Sequence, residues 1–135
     1  MSKAKYYVAV LTALTGGFFI YGPSEKQVQA TAIKEGFTPR PVIPVPGDVP
    51  TIGHGTTVYA NGVRVKMTDP PISRKQAHEY LKEHMNKDAV RFNKSLQGVK
   101  LSQAEYDLYF DFTYQFGTGA WVGSSMLRNL KAGQY

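Results

Sequence analysis

Acidic side chains are the first candidates for chemistry in this sequence, and Glu35 is the leading one. It ends a stretch of helical periodicity and is followed by Gly36, which leaves room for a ligand to approach. A carboxyl group there lies beside the negative end of the helix dipole, which favours the protonated form that a general acid needs. Asp48 is the only other acid between Glu35 and Thr51. The alternative interpretation is an ordinary solvated glutamate beside Lys34 and a turn-capping aspartate.

The residue patterns that other catalytic chemistries need do not occur in this sequence. The histidines His54, His78 and His84 have no H-x-x-x-H spacing, and the chain contains no cysteine. Neither a G-x-S-x-G motif nor a glycine-rich phosphate loop occurs. We therefore expect no metal site and no cofactor, and carboxylate chemistry remains.

Composition is typical of one globular domain. The chain has 135 residues, of which 42% are hydrophobic and 19% charged, and its net charge is +6. The basic residues are scattered singly and do not alternate with aromatic residues, so we expect no nucleic-acid partner. An anionic cell wall and anionic lipid are equally compatible, as partners, with the positive net charge.

The N-terminal segment has the pattern of a weak membrane anchor. Lysines precede 19 uncharged residues, 6–24, which is long enough to cross a bilayer core but is diluted by glycine and threonine. A cleavable signal peptide and a buried core helix are the alternatives. We favour a signal-anchor that is inserted first and released later, because its hydrophobicity is marginal.

The elements that position the acids can be outlined from local patterns. Helical spacing covers 25–36, and five of the eight prolines follow in 39–50, which predicts a stiff irregular loop. The Asn61-Gly62 dipeptide predicts a tight turn in a hairpin over 58–65.

The rest of the chain is predicted to be helical. Capping boxes at Ser73 and Ser102 begin two helices, and a last helix begins near Ser124. The second helix runs to Phe116 and is apolar almost all round, so we expect it to be a central buried helix. The narrow polar stripe of the second helix, with Asp107 in it, is predicted to be solvated. The fold class is α+β, a small hairpin inserted into a mainly helical domain.

Several spaced motifs resemble those of the phage-type lysozymes, or endolysins, glycosidases of the T4-lysozyme-like family. Glu35-Gly36 and the sequence Pro-Thr-Ile-Gly-His-Gly at 50–55 are similar to the family pattern E-G, an intervening Asp, then P-T-I-G-Y-G-H-T. The resemblance continues through the capping box at Ser73 to the end of the chain, over 33–135. It implies a lysozyme-like fold with a small hairpin lobe next to an active-site cleft.

The resemblance also implies roles for individual residues. Glu35 would be the general acid, and Thr51 would hold the attacking water, which implies an inverting muramidase. Gly53, His54 and Gln115 match positions that contact the substrate. The family's second carboxylate falls on Pro44, so Asp48 is our candidate replacement.

The same resemblance predicts the biology. We expect a host-lysis enzyme that acts as a monomer on peptidoglycan glycan strands. Residues 1–24 would tether it to the host inner membrane before release into the periplasm, and 25–135 would be the catalytic domain. Family members continue beyond the motif that ends at Tyr135, so we expect their C-terminal helices to be absent here. A lytic transglycosylase that uses Glu35 alone, and an inactive membrane-anchored wall-binding protein, are the alternatives.

Overall fold

The computed structural model describes residues 4–10 and 19–133. These form two compact units, one of residues 25–84 and one that combines 4–10 and 19–24 with 85–133. In chain order the elements are β1 Tyr6–Val8, β2 Phe19–Ile20, α1 Glu25–Glu35, β3 Thr38–Val42, β4 Thr51–Gly53, α2 Arg74–Ser95, β5 Lys100–Leu101, α3 Gln103–Phe116, α4 Thr118–Val122 and α5 Ser125–Lys131.

The unit of residues 25–84 contains the two-stranded sheet β3–β4. The strands are antiparallel, with Thr38 opposite Gly53 and Val42 opposite Thr51. Strand β3 lies in the proline-rich segment that was predicted to be irregular throughout. Its sequence Thr-Pro-Arg-Pro-Val fits a strand of a two-stranded sheet, because each such strand has an unpaired edge where the missing proline N–H is tolerated.

A turn is present at the predicted Asn61-Gly62 dipeptide, but only Gly62 has the positive φ expected of both residues, and the strands around the turn are minimal. Gly62 has a φ of +86°, and the Tyr59 N–H donates to the Val63 carbonyl at 2.9 Å. Pairing is limited to one bridge between Val58 and Arg64.

Helix α2 begins at the predicted capping box. The Gln76 N–H donates to Ser73 Oγ at 3.1 Å, and Gln76 Oε1 accepts from the Ser73 N–H at 2.9 Å. The predicted apolar stripe is buried: Ala77, Leu81, Met85 and Phe92. The boundary between the two units falls within this helix, between His84 and Met85.

The other unit brings β1 and β2, near the N-terminus, together with β5 in a three-stranded sheet. Strand β1 pairs in parallel with β2 and antiparallel with β5, and Tyr6 lies opposite Leu101. Val8 and Ile20 are buried. The described parts of segment 6–24 are therefore strands and loops rather than the helix of a core-helix alternative. Residues 11–18 of the predicted signal-anchor lie outside the described residues, and no described helix is long and apolar enough to span a membrane.

Aromatic rings form the core of this unit. The Phe92 ring centroid lies 5.1 Å from Tyr106, 5.5 Å from Phe110 and 5.3 Å from Trp121. Truncating one such ring to alanine typically costs about 3–5 kcal/mol. The Ser102–Glu105 capping box begins α3 as predicted.

Two expectations about α3 were wrong. Its surface is not covered all round, since Leu108 and Phe116 are 67% and 65% exposed. Asp107 is not merely solvated: it accepts from the Ser24 N–H at 3.0 Å, from Ser24 Oγ at 2.5 Å and from Gln103 Nε2 at 3.0 Å. Asp107 thus holds the end of the N-terminal segment on α3. The short helix α4 was not predicted, whereas the last helix begins at the predicted Ser124 cap.

Candidate active site

Glu35 is the last residue of α1, and its side chain is exposed. The helix ends there because Gly36 adopts a φ of +77°, a left-handed conformation that is easy only for glycine, while its N–H still bonds to the Ala32 carbonyl at 3.1 Å. The carboxyl group is therefore presented at a helix end on a defined backbone.

The other end of α1 is fixed by contacts of the Glu25 carboxylate. Glu25 Oε1 lies 2.5 Å from His78 Nε2, and its Oε2 lies 3.4 Å from Lys82 Nζ. The hydrogen bond from His78, followed by that from Lys82, lowers the pKa of Glu25. These contacts hold the start of α1 on α2 within the same unit.

Because Gly55 has no side chain, there is room beside it for the Glu35 carboxylate. A Cβ at Gly55 would lie 3.3 Å from Glu35 Oε2, and the φ of Gly55 is +86°. The backbone conformation favours glycine at this position, and a side chain there would displace the Glu35 carboxylate by a few tenths of an ångström. This residue was not among the predicted site residues; the signal that could have found it is the Gly-His-Gly spacing.

His54 lies under the turn that follows Glu35. Its ring is buried, its Nδ1 is 2.5 Å from the Gly36 carbonyl oxygen, and its centroid is 5.7 Å from that of Phe37. The Arg74 guanidinium carbon stands 4.5 Å above the Phe37 ring. These side chains border an open cavity of about 640 Å³.

Asp48 and Thr51 are both fastened to the backbone of Val49. Asp48 Oδ1 accepts from the Val49 N–H at 2.8 Å, and Thr51 Oγ1 donates to the Val49 carbonyl at 3.1 Å. The Asp48 N–H donates to the Val45 carbonyl at 3.0 Å, so Asp48 is the last residue of a backbone turn that begins at Val45. The structure thus brings these two predicted residues together in one short loop, and the exposed carboxylate keeps its second oxygen for another partner.

Gly53 has a packing role. It is buried, and a Cβ there would lie 3.0 Å from the Ala77 Cβ and 3.1 Å from Ile72 Cδ1. Strand β4 can approach α2 closely because this side chain is missing. The predicted substrate contact at Gly53 stays a prediction.

Gln115 belongs to the other unit. It is an exposed residue of α3, and its Nε2 donates to Asp111 Oδ2 at 2.8 Å. This places the amide one turn from an acid on the same helix. Its predicted role in binding substrate likewise stays a prediction.

A further polar cluster stabilises the loop after the hairpin turn. Asp69 Oδ2 accepts from the Tyr59 hydroxyl at 2.7 Å and from the Lys66 N–H at 3.0 Å. The Lys66 N–H and then the Tyr59 hydroxyl lower the pKa of Asp69. Burial first, and Asp69 second, raise the pKa of Tyr59 to about 12.

Comparison with known proteins now defines the class. A sequence profile of the phage lysozyme family matches residues 32–135, which include every candidate residue above. The endolysin of Salmonella phage P22 is 36% identical over 91 residues, covering 64% of this chain and 58% of that protein. The chain belongs to the phage lysozyme family.

Solved structures agree with this assignment. An endolysin from Escherichia coli O157:H7 phage FAHEc1 matches with a TM-score of 0.71 and 31% identity, covering 82% of this chain and 68% of that one. A crystal structure of a P22 lysozyme mutant matches with a TM-score of 0.71 and 27% identity, covering 84% and 76%. The predicted α+β, lysozyme-like fold is confirmed. The chain spans about 58% of the length of the P22 endolysin.

Proposed function

We propose that this chain hydrolyses the β-1,4 bond between N-acetylmuramic acid and N-acetylglucosamine in bacterial peptidoglycan, for lysis of a phage host. One observation carries the proposal: in a chain of the phage lysozyme family, the exposed Glu35 carboxyl ends α1 and lies against a glycine backbone. The net charge of +6 favours encounter with an anionic wall.

In the proposed reaction Glu35 is the general acid. Its O–H bond breaks as the proton moves to the glycosidic oxygen, and the bond from that oxygen to the anomeric carbon breaks. A water molecule forms the new bond from the opposite face and gives its proton to a carboxylate base. The product is a reducing sugar with inverted configuration.

Asp48 and Thr51 are the proposed base and water-holding residue. Their shared attachment to Val49 supports this pairing: Thr51 Oγ1, whose proton goes to the Val49 carbonyl, can still accept from a water, and the second oxygen of Asp48 can accept a proton from one. An inverting enzyme needs such a water between its two carboxyl groups.

A lytic transglycosylase is the second candidate. Pro44 occupies the family's usual carboxylate position, and one oxygen of Asp48 is already engaged by the Val49 N–H. An enzyme that uses Glu35 alone would let the sugar's own hydroxyl attack and would leave an anhydro end.

The deciding experiment is digestion of purified peptidoglycan, with the fragments read by mass spectrometry. The variants are wild type, Glu35→Gln and, as a matched control, Glu79→Gln, which changes an exposed glutamate of α2. We expect reducing ends from wild type and the control and none from Glu35→Gln. Anhydro ends would establish the transglycosylase, and fragments that persist in Glu35→Gln would remove Glu35 from the mechanism.

We further propose that residues 6–24 tether the protein to the host inner membrane and that it works in the periplasm after release, as a monomer. The lysines ahead of an uncharged segment support insertion. The pairing of β1 with β5 and the burial of Val8 and Ile20 are what a released, docked segment would adopt. Fractionation of expressing bacteria over time tests this: the full-length chain should appear first in the membrane fraction and later in the soluble periplasm. A chain that is never membrane-associated would overturn the proposal.

A further inference from the structure

We propose that His54 is a positioning residue for the general acid, and that it holds Glu35 through the carbonyl of Gly36 rather than by touching substrate. This inference rests on the proposed function of Glu35. It concerns a side chain that the family resemblance had suggested as a substrate contact.

The first step is the direction of the hydrogen bond. A carbonyl oxygen can only accept, so the 2.5 Å separation requires a proton on His54 Nδ1. His54 is 9% exposed, which leaves little access for water to compete for this bond. The tilted contact with Phe37, itself beneath Arg74, fixes the plane of the imidazole.

The second step is that this hydrogen bond restrains the backbone turn at Gly36. The peptide groups on either side of the Gly36 Cα are both engaged, the N–H with the Ala32 carbonyl and the carbonyl with His54. Glycine is the residue with most alternative backbone conformations. A turn built on Gly36 therefore depends on these bonds to keep the Glu35 side chain aimed in one direction.

The third step is a second contact between the same two chain segments. Gly55, the neighbour of His54, provides the space beside Glu35 Oε2. The dipeptide His54-Gly55 thus meets the dipeptide Glu35-Gly36 twice, once at the backbone through the imidazole and once at the carboxylate. Without the hydrogen bond from His54 to the Gly36 carbonyl, the turn would move and the Glu35 carboxylate would shift relative to Gly55.

Three substitutions distinguish the effect of the Nδ1 donor from the effect of the aromatic ring. His54→Asn places an amide N–H at the position of Nδ1, His54→Gln places it one bond farther out, and His54→Phe keeps the ring against Phe37 without a donor. Activity is measured on soluble glycan-strand fragments of peptidoglycan so that kcat and KM separate. Because a displacement of about 1 Å can cost about 100-fold in rate, we expect kcat to fall roughly 10- to 100-fold in His54→Phe and His54→Gln. KM should stay within about 3-fold, and His54→Asn should retain most of kcat.

Two kinetic results would contradict the proposal. A raised KM with unchanged kcat in His54→Phe would mean direct substrate contact, and equal losses in all three variants would mean that the Nδ1 donor is irrelevant. Either result overturns the proposal.

A readout without turnover keeps the test independent of catalysis. The carbon NMR resonance of the Glu35 carboxyl, recorded at one fixed pH, should move in His54→Phe and His54→Gln and stay in place in His54→Asn. If wild type cleaves nothing, the proposed function fails while this resonance still tests the positioning; if the resonance is the same in all four proteins, the positioning fails.

Discussion

Glu35 and Gly55 lie so close together that a side chain on Gly55 would contact the carboxylate. A Cβ there would stand 3.3 Å from Oε2, nearer than ordinary van der Waals contact, so the acid would have to move by a few tenths of an ångström. The direction in which the proposed general acid points is therefore limited by a backbone from another part of the chain.

We expect Gly55→Ala to lose activity far beyond its loss of stability. The substitution displaces the carboxylate, and a small misplacement of a catalytic group can cost about 100-fold in rate. The left-handed backbone adds a stability cost of roughly 1–2 kcal/mol. Peptidoglycan digestion rates and urea denaturation give the two quantities.

Gly62→Ala is the matched control for this change. Gly62 has the same φ of +86°, but a Cβ there would meet no atom within 4 Å. Its stability loss should equal that of Gly55→Ala while its activity stays near wild type. Equal activity in the two variants would contradict a role for the contact with Glu35.

Asp48→Asn tests the proposed base. The amide oxygen can still accept from the Val49 N–H, so the loop should be preserved. Removing a general base typically lowers the rate by about 100- to 10,000-fold, and we expect kcat to fall in this range. Unchanged hydrolysis with reducing-end products would show that another group accepts the proton.

Thr51 is tested by a pair of variants. Thr51→Val removes the hydroxyl at nearly constant volume and should lower kcat roughly 10-fold, the rate equivalent of one hydrogen bond. Thr51→Ser keeps the hydroxyl and should remain within about 3-fold of wild type. If serine and valine are equally impaired, the methyl group matters and the water-holding role does not.

The sequence predicted the helices well because their signals are local. Ser73 with Gln76, and Ser102 with Glu105, each satisfy one another's backbone groups within a single turn, so the cap can be read without knowing the fold. Strands β1 and β5 were missed because both are short and because they pair with each other although they lie far apart in the chain. Strand β3 was missed because Pro39 and Pro41 ordinarily mark a loop.

The candidate site was only partly predictable for a related reason. A helix-ending glutamate and an Asp-to-Thr loop are visible in the residues. The burial of His54 and the approach of Gly55 to Glu35 arise from packing between α1 and the segment after β4, which no local pattern encodes. Asp107 was judged solvated for the same reason, since its partner Ser24 is distant in sequence.

A buried hydrogen bond in the unit that contains α3 gives a stability prediction. The Tyr106 hydroxyl donates to Asn93 Oδ1 at 2.6 Å, and Asn93 Nδ2 donates to the Tyr21 carbonyl at 2.9 Å. Tyr106→Phe leaves the Asn93 oxygen without its donor and should cost about 1–3 kcal/mol in the free energy of unfolding.

Tyr109→Phe is the comparison for this hydroxyl. Tyr109 packs on Trp121 with its ring at a centroid distance of 5.4 Å, and it makes no hydrogen bond to another described residue through its hydroxyl. Chemical denaturation should show little change for this variant. A Tyr106→Phe protein as stable as Tyr109→Phe would show that the buried network adds nothing.

The Asp69 cluster predicts a pH dependence of stability. Because the folded state lowers the pKa of Asp69, its contribution is fully present above the unfolded-state pKa of about 3.9 and is lost as pH falls through the lower folded-state value. Asp69→Asn should therefore be less stable than wild type at pH 6, and the difference should shrink as the pH is lowered towards 2. Denaturation midpoints of the two proteins, measured at each pH, test this. A gap for Asp69→Asn that is independent of pH would contradict the assignment.

The pairing of β1 with β5 also bears on how the chain folds. Tyr6 meets Leu101 across 95 residues, and residues 25–84 form a separate unit between these strands. On a ribosome, the contiguous unit can reach its contacts while the sheet still waits for the last third of the chain. Contacts of such long sequence separation close slowly, so the unit that contains the three-stranded sheet should fold last and limit the rate of folding. The N-terminal segment would then remain undocked throughout synthesis, which is the interval that the proposed membrane insertion of this segment requires.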